Sequence, residues 1–272
     1  MNKGSIAVLA FEGWNDAGEA ATAAVDHLID QFQARLIYSF DPEPFYDFQV
    51  NRPFLKFSDD GNRKVEWRTT HIYESELDKN KKLLLVRGIE PSMHWKQFTR
   101  EFVSLIEEND VSMVIAIGAL LADTAHTRPI PVTPVAMNPE VAKRFEIDVS
   151  DYEGPTGILG VIQESLSRKQ IAGISLWAAV PHYVSQPPCP KATMALLDAL
   201  DDLIDVKFDL VDYPERSDVW QDQVDNLIQN DEEMIEYVKK LEVEGDASQL
   251  SQTSGETIAR EFERYLRRRN PK

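Results

Sequence analysis

An α/β fold is what this chain of 272 residues predicts. The expected form is a three-layer sandwich: a central, mostly parallel, twisted sheet flanked by helices, plus an acidic helical C-terminal appendage. Three observations predict it. Short apolar runs such as Ile6–Phe11, Lys82–Val86, Val111–Ile117 and Ile174–Val180 read as strands buried on both faces. They alternate with stretches of helical period, the pattern of a parallel sheet with helices on both sides. After about Val206 the strand signal disappears and only helical patterns remain.

Each element follows from its own pattern. Ile6–Phe11 is a first strand. Ala17–Phe32 is a helix with Ala20, Ala21, Ala24, Val25, Leu28 and Phe32 on one face. Ala34–Phe40 is a second strand. Val65–Tyr73 is expected as a strand, with Asp59-Asp60-Gly61-Asn62 as the hairpin turn before it. Lys82–Val86 is a buried strand, and Trp95, Phe98, Phe102, Leu105 and Ile106 mark the helix after it. Val111–Ile117 is expected to break at Gly118 and deliver Asp123, His126, Thr127 and Arg128 onto a loop. Pro129, Pro131 and Pro134 make the exit rigid and extended. Asn138–Phe145 is a short helix. Gly154-Pro155-Thr156-Gly157 is a turn, with Thr156 as a cap, into a helix carrying Ile158, Leu159, Ile162 and Leu166. Ile174–Val180 is the last strand and Ala192–Ile204 the helix behind it. These elements make residues 1–205 an α/β core domain.

Residues 206–244 are expected as an acidic helical extension, where Val219, Trp220, Val224, Leu227, Ile228, Ile235, Val238 and Leu241 fit one or two amphipathic helices. Residues 245–255 read as a polar linker. Residues 256–270 read as a C-terminal helix packing on the core or on a neighbouring subunit. Its Arg267-Arg268-Arg269 end complements the helix dipole.

Composition excludes several functions. The formal net charge of −17 opposes binding to phosphate backbones or anionic lipid, so neither nucleic acid nor membrane is an expected partner. No apolar run approaches the roughly 20 residues of a membrane helix. Ile6–Phe11 is too short, and too soon followed by Glu12 and Asp16, to serve as a signal peptide. One cysteine, Cys189, excludes an internal disulfide framework and fits a cytoplasmic location.

In open α/β sheets, ligands gather outside the carboxyl ends of the strands. Four loops lie there. Gly13-Trp14-Asn15-Asp16-Ala17-Gly18-Glu19 follows the first strand. Asp16 with Glu19 has the spacing of a capping box, and that alone accounts for an Asp here. Trp14 and Asn15 are harder to place, since a Trp in a strand-to-helix loop has little core to fill unless it walls a pocket or an interface. Asp123 to Pro129 holds His126, a possible base, and Arg128, a possible clamp for a carboxylate or phosphate. The competing reading is a loop whose His and Arg pair with Asp123 and backbone carbonyls. Pro181-His182-Tyr183-Val184 puts a second His at a strand end. Gly154–Gly157 puts Thr156 and free N–H groups at a helix start. The expected ligand-binding set is therefore Trp14, Asn15, Asp16, Asp123, His126, Thr127, Arg128, Thr156, His182 and Tyr183. His126, His182 and Asp16 are the catalytic candidates. Cys189 near a helix start could have a lowered pKa, but no partner is visible and it reads as inert. There is no G-x-S-x-G, Walker A, H-E-x-x-H or C-x-x-C motif, and the His residues are scattered. No metal and no cofactor are expected.

Together these loops resemble one family. Gly13-Trp14-Asn15-Asp16-Ala17-Gly18, Ala125-His126-Thr127-Arg128-Pro129-Ile130-Pro131-Val132, Tyr152-Glu153-Gly154-Pro155-Thr156-Gly157-Ile158 and Ala179-Val180-Pro181-His182-Tyr183-Val184 occur in the order seen in the bacterial branch of the proteasome assembly chaperone type-two family. The resemblance spans Ile6 to Leu203, and Ile258 to Leu266 is similar to that branch's closing helix. It implies a core similar to purine nucleoside phosphorylases and self-assembly as a homotrimer. It implies no established reaction. Relatives that act on proteasomes can dock through a C-terminal hydrophobic-Tyr-any tail. This chain departs from that, ending Arg269-Asn270-Pro271-Lys272.

The expectation is a cytoplasmic, self-assembling protein-interaction or assembly factor with a protein partner. The alternative is a small-molecule hydrolase or phosphorylase-like enzyme using one strand-end cleft with Trp14, Asp16, His126, Arg128 and His182. A third reading keeps the cleft as a sensor, with ligand binding changing assembly.

Overall fold

A computed structural model describes residues 4–58, 61–78, 81–184 and 186–252. The expected C-terminal helix 256–270 lies outside the described residues. In chain order the elements are β1 (Ser5–Glu12), α1 (Ala20–Gln31), β2 (Arg35–Ser39), β3 (Phe54–Phe57), β4 (Arg63–Glu66), β5 (His71–Asp78), β6 (Lys81–Ile89), α2 (Trp95–Glu108), β7 (Val111–Ala122), β8 (Val132–Ala136), α3 (Pro139–Phe145), β9 (Asp148–Val149), α4 (Ile158–Arg168), β10 (Ala172–Pro181), α5 (Pro190–Ile204), α6 (Tyr213–Ile228) and α7 (Glu232–Gln252).

Among the described residues, eight strands form one sheet in the order β2-β5-β6-β1-β7-β10-β8-β9. Its centre, β6-β1-β7-β10, is parallel. β5 on one side and β8 on the other join antiparallel. Alternation along β1 shows why both faces are covered. Ile6, Val8 and Ala10 pack with α1, α5 and α6, while Ala7, Leu9 and Phe11 pack with α2 and α4. Each fully buried Leu or Val on this sheet contributes about 2 kcal/mol. The three-layer sandwich is thus the observed architecture.

Four boundaries differ from expectation, each for a physical reason. β7 does not stop at Gly118 but runs to Ala122. Gly118 lies opposite Trp177 of β10, and a Cβ there would overlap the Trp177 ring. The glycine is a notch for that ring, not a terminator. The segment Val65–Tyr73 splits: β4 ends at Glu66 in a separate hairpin with β3, and β5 starts at His71 in the main sheet. The Pro-rich exit after Arg128 carries a strand, β8, which pairs with β10 and β9. The start of the expected linker is helical, because α7 continues to Gln252 across Gly245.

The appendage is docked. Trp220 and Val224 of α6 are buried against α5, and Val238 and Leu241 of α7 pack on Ala125. Val219 and Leu227, read from the sequence as part of the inward stripe, are exposed.

The sheet is wider than its helices. α3 packs against the first face of β8 and β9 through Val141 and Phe145. On the second face α4 packs against β10, and Thr133, Val135 and Asp148 beyond it face an open cleft.

Candidate functional site

The strand ends carry two separate constellations. The first is where β7 and β10 deliver their loops to the appendage. His126 is fully buried. Its Nδ1 lies 2.8 Å from the Tyr183 hydroxyl, and its Nε2 lies 3.1 Å from Asp225 Oδ1 of α6. Its backbone N–H donates to the same Tyr183 oxygen at 2.9 Å. Its carbonyl accepts from Lys191 Nζ at 2.6 Å, and Lys191 also donates to Gln221 of α6 at 2.6 Å. Burial pushes the Tyr183 hydroxyl up to about 12, so it stays protonated as a donor at neutral pH. Burial also lowers the Lys191 ammonium from its usual range.

The remaining loop residues bind α7. Arg128 makes a two-pronged contact with Asp246, 3.0 Å from Nε to Oδ1 and 2.9 Å from Nη2 to Oδ2. It also reaches Glu242 at 3.4 Å. Thr127 donates to Glu242. Asp123 accepts from Tyr237 at 3.1 Å and lies 3.3 Å from His182 Nδ1. His182, Tyr183 and Tyr237 meet edge to face. The loop pairing anticipated from the sequence is present, but the partners are carboxylates of the appendage. From the sequence, Asp225 and Glu242 belong to its acidic outer face and Asp246 to the polar linker.

The second constellation is the cleft on the open sheet face, about 670 Å³ in volume. Its floor is Thr133 and Val135 of β8 with Ser175 and Trp177 of β10. Gly160 and Gln163 of α4 form one wall, and the Ser150–Thr156 segment overhangs. Trp14, Asn15 and Leu120 close the end. The loop holding Trp14 is built in: Ala119 N–H donates to Asn15 O at 2.8 Å, bridging it to β7. Asn15 also presses on Gly157, where a Cβ would overlap its amide.

Asp16 points away from this cleft. Its Oδ1 accepts from Ala21 N–H at 2.8 Å and Thr22 N–H at 3.1 Å, and its Oδ2 accepts from the Thr22 hydroxyl. It caps α1 directly; Glu19 makes no capping contact with α1 and is left-handed, with φ 52°. Burial raises the Asp16 carboxyl above its ordinary value, partly offset by these hydrogen bonds. It lines a neighbouring depression of about 710 Å³ with Trp14, Glu12 and Leu121.

Thr156 does not cap α4. Glu90 does, accepting from Ile158 N–H at 2.8 Å. The anion-holding end of α4 is therefore filled by a carboxylate of this chain, delivered by the loop after β6. Cys189 is buried and its thiol is pushed up to about 11 by that burial, opposite to the lowering expected of a helix start.

Of the ten expected site residues, Trp14, Asn15 and Thr156 share the cleft. Asp123, His126, Thr127, Arg128, His182 and Tyr183 gather at the appendage junction. Asp16 belongs to neither. The cleft residues outside the expected set include Gln163, Ser175, Trp177, Asp148, Asp151 and Tyr152. Only the two-residue alternation of β10 signalled any of them, placing Ser175 and Trp177 on one face. Among the described residues no group of three His, Cys, Asp or Glu could hold a metal, and no helix is long and apolar enough to cross a membrane.

Comparison with known proteins gives this architecture relatives. No curated protein matches the chain. A PAC2 family protein of Streptomyces avermitilis is 48% identical, with a TM-score of 0.82, over 86% of this chain and 99% of that one. A proteasome-assembly chaperone homologue of Mycobacterium tuberculosis is 43% identical, with a TM-score of 0.78, over 86% and 99%. An archaeal proteasome activator of Pyrococcus furiosus shares the fold at 15% identity, with a TM-score of 0.65, over 82% and 93%. The PAC2 family model matches residues 10–228, most of the chain and both constellations except α7. The chain belongs to the PAC2 family.

Proposed function

We propose that this protein is a cytoplasmic, self-assembling factor of the proteasome-assembly-chaperone type, acting through protein contacts and not through catalysis. Membership of the PAC2 family and likeness to a proteasome-assembly chaperone homologue support the type. One observation carries the non-catalytic reading. His126 and Arg128, the side chains best suited to proton transfer and anion binding, are engaged by Asp225, Glu242 and Asp246. A base must reach its substrate, and His126 is fully buried with both ring nitrogens occupied. The enzymatic alternative needed Trp14, Asp16, His126, Arg128 and His182 around one cleft, and they lie in separate places. Assembly as a homotrimer follows the family resemblance.

Native mass spectrometry of the purified chain, paired with in-cell cross-linking, tests the reading. A discrete trimer and a specific cross-linked protein are expected. A monomer with no cross-linked partner overturns it.

A further inference from the structure

We propose that the open-face cleft binds a small organic cation with a flat apolar body, a ligand site that goes beyond the assembly reading. Four features converge on this. First, the cleft has the size and make-up of a small-molecule site, about 670 Å³ with largely apolar walls. Second, Trp14, Tyr152 and Trp177 supply three aromatic rings around it. Such faces attract cations through their quadrupole. Third, the charged residues among those lining it are Asp148 and Asp151, and neither is paired with a basic group among the described residues. A phosphate or carboxylate would meet two negative charges and no positive one.

The fourth feature is a pair of polar side chains that line the cavity. Asn15 and Ser175 are 6% and 8% exposed, line the cleft, and make no side-chain hydrogen bond among the described residues. Among the described residues the sealed, unpartnered side-chain polar atoms are those of Gln31 and Thr99, so the Asn15 amide and the Ser175 hydroxyl are open to the cleft. An amide at its end and a hydroxyl on its floor offer a donor and acceptors to one ligand. The rim is held in shape, because the Tyr152 hydroxyl donates to Pro155 O at 2.8 Å across its own loop. The cation sits toward Asp148 and Asp151, its flat body lies between the rings, and a polar substituent reaches Asn15 and Ser175.

Isothermal titration of the full chain tests this with tryptamine as the probe and indole-3-propionate as its anionic counterpart of similar shape. Tryptamine is expected to bind at least about tenfold tighter, the ratio one favourable charge contact supplies. Asp148→Asn with Asp151→Asn should remove that preference and leave the fold intact, since both carboxylates are exposed. Trp14→Ala, at a side chain 61% exposed, should weaken tryptamine about tenfold in a protein that melts as the parent does. Equal affinity for the two probes, no tryptamine heat at millimolar concentration, or affinity unchanged in these variants overturns the proposal. So does binding that appears only on dilution to monomer, which would give the cleft to a second copy. The assembly reading is judged by the native mass spectrum of the unliganded chain, so either idea can fail without the other.

Discussion

The two strand-end constellations are built of similar residue types and have opposite fates. At the appendage junction every polar side chain of the Asp123–Arg128 loop named above meets a partner from α6, α7 or the loop after β10. In the cleft, on the open face beside β10, the Asn15 and Ser175 side chains have none among the described residues. A polar cluster at strand ends therefore indicates a site only after every later segment of the chain has been placed against it. Here α6 and α7 turn one cluster into a fastener and leave the other facing solvent.

Substitution at His126 should give the largest effect that separates them. His126→Ala removes a fully buried ring with its contacts to the Tyr183 hydroxyl and to Asp225, leaving a cavity at the junction. A loss of about 3 kcal/mol is expected from denaturant unfolding. Hydrogen exchange in α6 and α7 should rise first, since these helices lose their tie. A variant as stable as the parent would break the comparison, because the junction would then be a free site after all.

Asp16 comes next. Asp16→Ala removes the acceptor for the α1 start and should cost about 1–2 kcal/mol. Asp16→Asn keeps an acceptor for Ala21 and Thr22 and separates charge from capping. The carboxyl is raised above 3.8, chiefly by burial. Its protonated form thus favours folding: that contribution is present below 3.8 and is lost as pH rises through the raised value. Stability followed from pH 3 to 7, in about single-unit steps, should fall less for Asp16→Asn than for the parent. Parallel curves would show that the carboxylate carries no burial cost.

Smaller still is the tie to α7. The Arg128 hydrogen bond holds the Asp246 carboxyl below its ordinary 3.8. A depressed carboxyl contributes above that value, and the contribution is lost as pH falls through the lower folded one. Both groups are solvent-exposed and screened by salt. Exchange protection of α7 should therefore drop in acid or high salt, while that of β7 and β10 stays constant. Arg128→Ala should abolish this sensitivity. If α7 protection ignores pH and salt, Val238 and Leu241 alone hold the helix.

Much of this was legible in the sequence, and what was not has identifiable causes. β1, β6, β7 and β10 announce themselves because strands buried on both faces must be apolar throughout. The end of β7 was misread because a glycine that admits the Trp177 ring looks, from sequence, like one that ends a strand. β8 was hidden by Pro131 and Pro134, which signal an extended exit without naming the strand it pairs with. Trp14 and Asn15 line the cleft. His126 and Arg128 meet Asp225, Glu242 and Asp246, which lie about a hundred residues away, in helices whose carboxylates all look solvated. Pairings at that separation depend on how the appendage folds back, and no local pattern records it.

The smallest expected effect is the most pointed. Ser175→Ala removes a hydroxyl that is 8% exposed and has no hydrogen-bond partner among the described residues. A buried hydroxyl is normally missed because its partner is left unsatisfied. Here no partner among the described residues is stranded, and the vacated volume opens onto a cleft that already holds solvent-sized space. Stability should change by less than about 0.5 kcal/mol, against the several expected at His126. The same contrast should hold for Asn15→Ala less cleanly, because its backbone carbonyl bridges to Ala119 and its amide presses on Gly157. A loss at Ser175 of the His126 size would mean that the hydroxyl is bonded in the folded protein. The two constellations would then be alike, both used in holding the fold, and the cleft would no longer stand apart as the one left open.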